Sequence, residues 1–102
     1  MKIRQAFVAN SSSVSFCIYG FWSDDSKIFD KVYSMEKELY DHGFEKFSPP
    51  WGYTDVYVGM SLTQIGEDET LRQFKERTSI DLNKLFPQIT DFSIQQDGWY
   101  DG

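Results

Sequence analysis

Two hydrophobic periods alternate along this chain, and a backbone satisfies both only by alternating strands with helices. In Val14-Ser15-Phe16-Cys17-Ile18-Tyr19 apolar residues recur every second position. That period places Val14, Phe16 and Ile18 on one face of a strand and Tyr19 on the other, with Gly20 closing it. Ser23-Asp24-Asp25-Ser26 then signals a helix start, because short oxygen-bearing side chains accept from the orphan backbone N–H groups. The helix is predicted over 26–41, where Ile28, Val32, Met35 and Leu39 form an apolar stripe widened by Phe29, Tyr33 and Tyr40. Gly43 fits the position just beyond its end.

The second half repeats the pattern. Phe44-Glu45-Lys46-Phe47 reads as a short strand, stopped by Ser48-Pro49-Pro50-Trp51-Gly52 because proline cannot donate to a ladder. Asp55 to Met60 alternates clearly, with Val56, Val58 and Met60 on one face and Tyr57 on the other. Gly66-Glu67-Asp68-Glu69 announces a second helix, whose stripe is Leu71, Phe74, Thr78, Leu82 and Leu85 and whose end is Pro87. Asp91 to Gln95 is a weaker last strand. The order is strand, helix, strand, strand, helix, strand. This predicts an α+β, ferredoxin-like βαββαβ sandwich, with helices on one face of a small, mainly antiparallel sheet. If Phe44–Phe47 is coil, a three-stranded βαβαβ sheet remains. The expected organisation is a leader (1–13, with a possible edge strand at Ile3–Val8), a single domain (14–96) and an acidic, aromatic tail (97–102).

Composition removes several chemistries. The 102 residues suffice for one domain with its own core. Ten Lys and Arg against 16 Asp and Glu give a net charge of −6, which argues against a surface built to neutralise phosphates. The imbalance is concentrated after residue 51, where 9 acids meet 4 bases. One cysteine, Cys17, excludes an internal disulfide, and one histidine, His42, excludes the usual zinc ligand sets within one chain. No apolar run reaches the ~18–20 residues of a membrane span, and Gln5, Asn10 and the serines interrupt any signal-peptide core. A cytoplasmic protein without cofactor is expected, with no nucleic-acid or membrane partner.

Candidate chemistry is sparse. Ser11-Ser12-Ser13 lacks an adjacent base, a glycine-rich phosphate cradle and a P-loop lysine, so a self-bonded turn accounts for it. Asp24, Asp25, Glu67 and Asp68 could hold a metal ion or move protons, but they precede predicted helices, where capping alone favours carboxylates. The rings are harder to place. Aromatic residues make up 18% of the chain, including 3 Trp and 6 Tyr. Tyr19 and Tyr57 fall opposite the expected core face, while Trp51, Tyr53, Trp99 and Tyr100 fall in a loop and the tail. Without a basic patch such rings suit a protein interface, because Tyr and Trp bury much area and keep a polar handle. The same rings could instead pack over the edges of a small core.

The opening Met1-Lys2-Ile3-Arg4 through Phe7-Val8-Ala9-Asn10-Ser11-Ser12-Ser13-Val14-Ser15-Phe16 resembles that of a family of small uncharacterised phage and bacterial proteins. Val58-Gly59-Met60-Ser61-Leu62, with Asp68-Glu69-Thr70-Leu71 and Phe74-Lys75, is similar to a second block of that family. The chain departs from the pattern at Ala9 and Val14. The resemblance implies a phage setting and carries no catalytic residue. The expectation is a small acidic accessory protein of host-takeover or anti-defence type that binds a protein partner without catalysis. The alternatives are a carboxylate-dependent enzyme and a homodimer pairing sheet faces through Tyr19 and Tyr57.

Overall fold

The structure, a computed structural model, describes the backbone of residues 13–100 and the side chains of 15–99. The expected leader (1–13) and its edge strand at Ile3–Val8 therefore lie almost wholly outside the described residues. Four strands, β1 (Ser13–Ser23), β2 (Glu45–Phe47), β3 (Val56–Ser61) and β4 (Ser93–Tyr100), form one sheet in the order β2-β3-β1-β4. All three pairings are antiparallel. Helices α1 (Ser26–Ser34) and α2 (Glu36–Asp41) connect β1 to β2, and α3 (Leu71–Leu85) connects β3 to β4. This is the ferredoxin-like α+β arrangement. Phe44–Phe47 supplies the fourth strand, so the three-stranded alternative does not apply.

The helix ends follow local chemistry. The Asp25 carboxylate accepts from the Lys27 N–H at 2.8 Å and caps α1. Thr70 and Gln73 form a reciprocal capping box at the start of α3. At the end of α2, Gly43 takes φ 84°, a left-handed conformation that side chains with a Cβ resist. The Phe44 N–H reaches the Leu39 carbonyl and the Gly43 N–H reaches that of Tyr40, both at 2.9 Å. That paired bonding, with Leu39 and Phe44 buried against it, is the Schellman ending. The single helix expected over 26–41 is broken at Met35, whose φ of −120° and ψ of 31° leave the helical region. Leu39 stays buried, but Tyr40 is 81% exposed and does not widen the stripe.

One core lies between the helices and the sheet. Val56, Val58 and Met60 of β3 pack with Ile28, Val32, Leu39, Phe74, Leu82 and Phe86. From β1 the contributors are Tyr19 and Phe21, the opposite set from the one expected. Phe16 and Ile18 do share a face, as the alternation predicts, and Ile18 is fully buried, but that face turns away from the helices and the Tyr19–Phe21 face meets them. Serines mark polar positions only in the first part of β1. From Phe16 to Phe21 both parities are apolar or aromatic apart from Gly20, because both faces of that stretch are covered.

The cover on the second face comes from curling of the sheet. In the β1–β3 register Tyr57 lies opposite Trp22, six residues from Phe16. A straight strand would separate those positions by about 20 Å. The ring centroids of Phe16 and Tyr57 are nevertheless 4.9 Å apart. β1 before Ile18 has lost β3 as a neighbour and is paired only with β4. A two-stranded ribbon twists more strongly than a wide sheet, and this one folds back over the face away from the helices. Gly20 and Gly59, opposite each other in the ladder, permit the bend. A Cβ on Gly20 would sit 1.9 Å from the Val58 carbonyl oxygen, and one on Gly59 2.4 Å from that of Tyr19.

Candidate functional site

The curled face is an aromatic layer. Phe16 stacks on Phe47 with centroids 4.4 Å apart and planes 11° apart. Trp99 meets Phe16 edge-on at 5.7 Å, and Trp51 meets Trp99 edge-on at 5.5 Å. Such offset and edge-to-face pairs suit the ring quadrupoles. The register puts Trp22, Glu45, Asp97, Ser93 and Gln95 on this face as well. Among the described strand positions facing this way, the charged residues, Glu45 and Asp97, are both acidic.

Tyr57 links the layer to that charge. Its Oη donates to the Asp97 Oδ2 at 3.1 Å. Partial burial, together with the Asp97 carboxylate as hydrogen-bond acceptor and the negative charges of Asp97 and Asp55, pushes the Tyr57 phenol above its ordinary pKa. The ring therefore stays neutral and a donor at physiological pH.

The exposed part of the surface is the loop between β2 and β3. Trp51 is 62% exposed and Tyr53 97%. The loop is pinned at both ends. Tyr33 Oη and Ser48 Oγ share a hydrogen bond of 2.5 Å at its start, and Thr54 Oγ1 donates to the Asp24 carbonyl at 2.7 Å near its end. The Gly52 N–H turns back onto the Pro49 carbonyl, and Pro49 is buried. Pinning presents Trp51 and Tyr53 at little further ordering cost, a property of binding surfaces.

The sequence candidates divide accordingly. Tyr19 is not an interface residue. It is 8% exposed, packs edge-on against Phe74 on the helix side, and shares a 3.0 Å hydrogen bond with Ser79 Oγ. Face pairing through Tyr19 and Tyr57 together is excluded, because the two rings lie on opposite sides of the sheet. Trp99 belongs to β4 and not to a tail, as do residues 97–100, and at 8% exposure it supports the face from beneath. Trp51 and Tyr57 come together with it, and Tyr53 stands exposed on the same loop as Trp51. The side chain of Tyr100 lies outside the described residues. Phe16, Phe47 and Trp22 were not singled out, although Trp22 is 45% exposed. A signal existed for Trp22: with the strand continued through Gly20, it falls in phase with Phe16.

The carboxylates do not converge. Asp25 is occupied as the cap of α1, and Asp24, Glu67 and Asp68 are exposed beside helix starts. Glu69 grips the Arg77 guanidinium with both oxygens and accepts from the Gly66 N–H. The Arg77 hydrogen bonds, then that of Gly66, hold its carboxyl below the ordinary range. Among the described residues no three His, Cys, Asp or Glu side chains gather for a metal ion. No helix among them is long and apolar enough to cross a membrane. No family model, curated protein or solved structure matches the chain.

Proposed function

We propose that this chain is a small acidic accessory protein of phage type that acts inside the host cell by docking onto another protein, without catalysis. One observation carries the reading: Trp51 and Tyr53 stand exposed on a pinned loop that continues an aromatic layer whose charged neighbours are acidic. Exposed aromatic surface with a polar rim is characteristic of protein contact sites. Acidic neighbours disfavour a phosphate-bearing partner and favour a basic one. The resemblance of the opening and of the Val58–Lys75 block to phage proteins supplies the setting.

A photo-reactive benzophenone side chain at position 53 tests this in a bacterial host extract. The expected result is one discrete cross-linked host protein, suppressed by excess unmodified chain and lost when Trp51→Ala is added. Diffuse labelling, or a product indifferent to Trp51→Ala, overturns it. A product of twice the chain's own mass would replace it with self-association, which light scattering would show independently.

A further inference from the structure

Beside the aromatic layer lies a cleft of about 520 Å³, where β1 runs on past the last residue paired to β4. Trp22 and Tyr57 form one side, and Gln88 and Asp91, from the segment after α3, form the other. Ser93 and Gln95 line its end. None of the described residues lining it is Lys, Arg or His. We propose that this cleft takes an arginine side chain of the partner protein, its guanidinium stacked on Trp22 and hydrogen-bonded to Asp91. The inference rests on the docking reading and specifies the partner's chemistry.

Three observations converge on that occupant. Trp22 is 45% exposed, and an indole attracts a cation to its face through the ring quadrupole more strongly than any other side chain. The cleft has a carboxylate of its own in Asp91 and no basic residue in its lining, and the Tyr57 ring beside it is hydrogen-bonded to a second carboxylate, that of Asp97, so the charge a cation meets there is acidic. Acceptors are also plentiful. The Gln95 amide nitrogen donates to Ser93 Oγ at 2.7 Å, which leaves its carbonyl oxygen to accept, and Gln88 contributes another amide oxygen. Five fixed N–H donors on a plane that stacks distinguish arginine from lysine, a point charge with three. A neutral saccharide could use the indole and the amides, but would gain no charge pairing from the Asp91 carboxylate.

The test is a titration of the full chain with acetyl-Gly-Arg-Gly-amide, its citrulline counterpart, and maltotriose. The Trp22 indole N–H resonance is the readout, assigned through Trp22→Phe. The arginine peptide should shift it saturably. The citrulline peptide, equal in shape but uncharged, should bind at least tenfold more weakly. Asp91→Asn should weaken the arginine peptide severalfold, and added salt should weaken it further. Equal binding of the citrulline peptide, a maltotriose response of equal strength, or a shift confined to the Trp51 indole overturns the proposal. The two readings fail separately. A silent Trp22 with the position-53 cross-link intact removes the arginine site and leaves docking in place. A responsive Trp22 without any cross-link supports the arginine site and overturns docking through the loop.

Discussion

Thr78 lies on α3 within the helix-side core, fully buried, and its hydroxyl has no hydrogen-bond partner among the described residues. An unsatisfied buried hydroxyl costs about 1–3 kcal/mol. Thr78→Val keeps the branched shape and removes the polar atom. It should stabilise the fold by about 1 kcal/mol, seen as a higher denaturant midpoint at unchanged slope. A lower midpoint would mean that the hydroxyl is satisfied after all. Tyr57 gives the complementary pH prediction. Its phenol pKa is raised in the fold, so the neutral ring is the stabilised form. Its contribution is complete below the ordinary tyrosine value of about 10 and is lost as pH rises through the higher folded value. Asp97→Asn should bring the Tyr57 ionisation down toward the ordinary value without reaching it, since burial, the largest cause, remains. Near-ultraviolet absorbance of tyrosinate across an alkaline titration, with Tyr57→Phe as the blank, measures this. At this scale the sequence was partly legible. Alternation announced that Tyr57 would face away from the core, but not that Asp97, 40 positions later, would accept its hydrogen bond.

The strands and helices were legible where apolar and polar positions alternate locally. β3 shows its alternation plainly, and Asp25, within the expected start signal, caps α1, whereas α3 is capped by Thr70, one residue beyond the Gly66–Glu69 signal. The break at Met35 was not legible, because side-chain periodicity runs through it while only the backbone departs. The alternation of β1 gives its two faces but not which one meets the helices, and Gly20 reads as an end although the strand runs on to Ser23. In the fold Gly20 continues the strand, paired with Gly59 on one side and Ser93 on the other, where the backbones approach too closely for a Cβ. Gly20→Ala would drive a Cβ into the Val58 carbonyl, part of a strand with no flexible end to yield. It should therefore cost at least about 2–3 kcal/mol and release the ribbon of Phe16 and Trp99. Gly66→Ala, which meets nothing nearer than 3.4 Å, should change stability by less than about 0.5 kcal/mol. Thermal unfolding of the two variants side by side decides the matter; equal losses would refute the bend.

At the scale of the molecule, the described residues build two apolar layers, a helix-side core and an aromatic layer, sharing one sheet. If the second layer is integral, Trp99→Ala should cost about 3–5 kcal/mol, comparable with Phe74→Ala in the core. A typical domain has only about 5–15 kcal/mol of stability, so either change should bring this one near unfolding. A loss below about 1 kcal/mol for Trp99→Ala, by denaturant titration, would make the layer mere surface. Element types, their order and the ferredoxin-like class were determined by the sequence alone. Periodicity and capping are local properties, written within a few residues of where they act. Which face of β1 met the helices, and which rings were left for a partner, depended on a glycine pair brought together across 39 residues and on a ribbon that curled after losing its neighbour. Those are contacts between distant segments, and no local pattern encodes them.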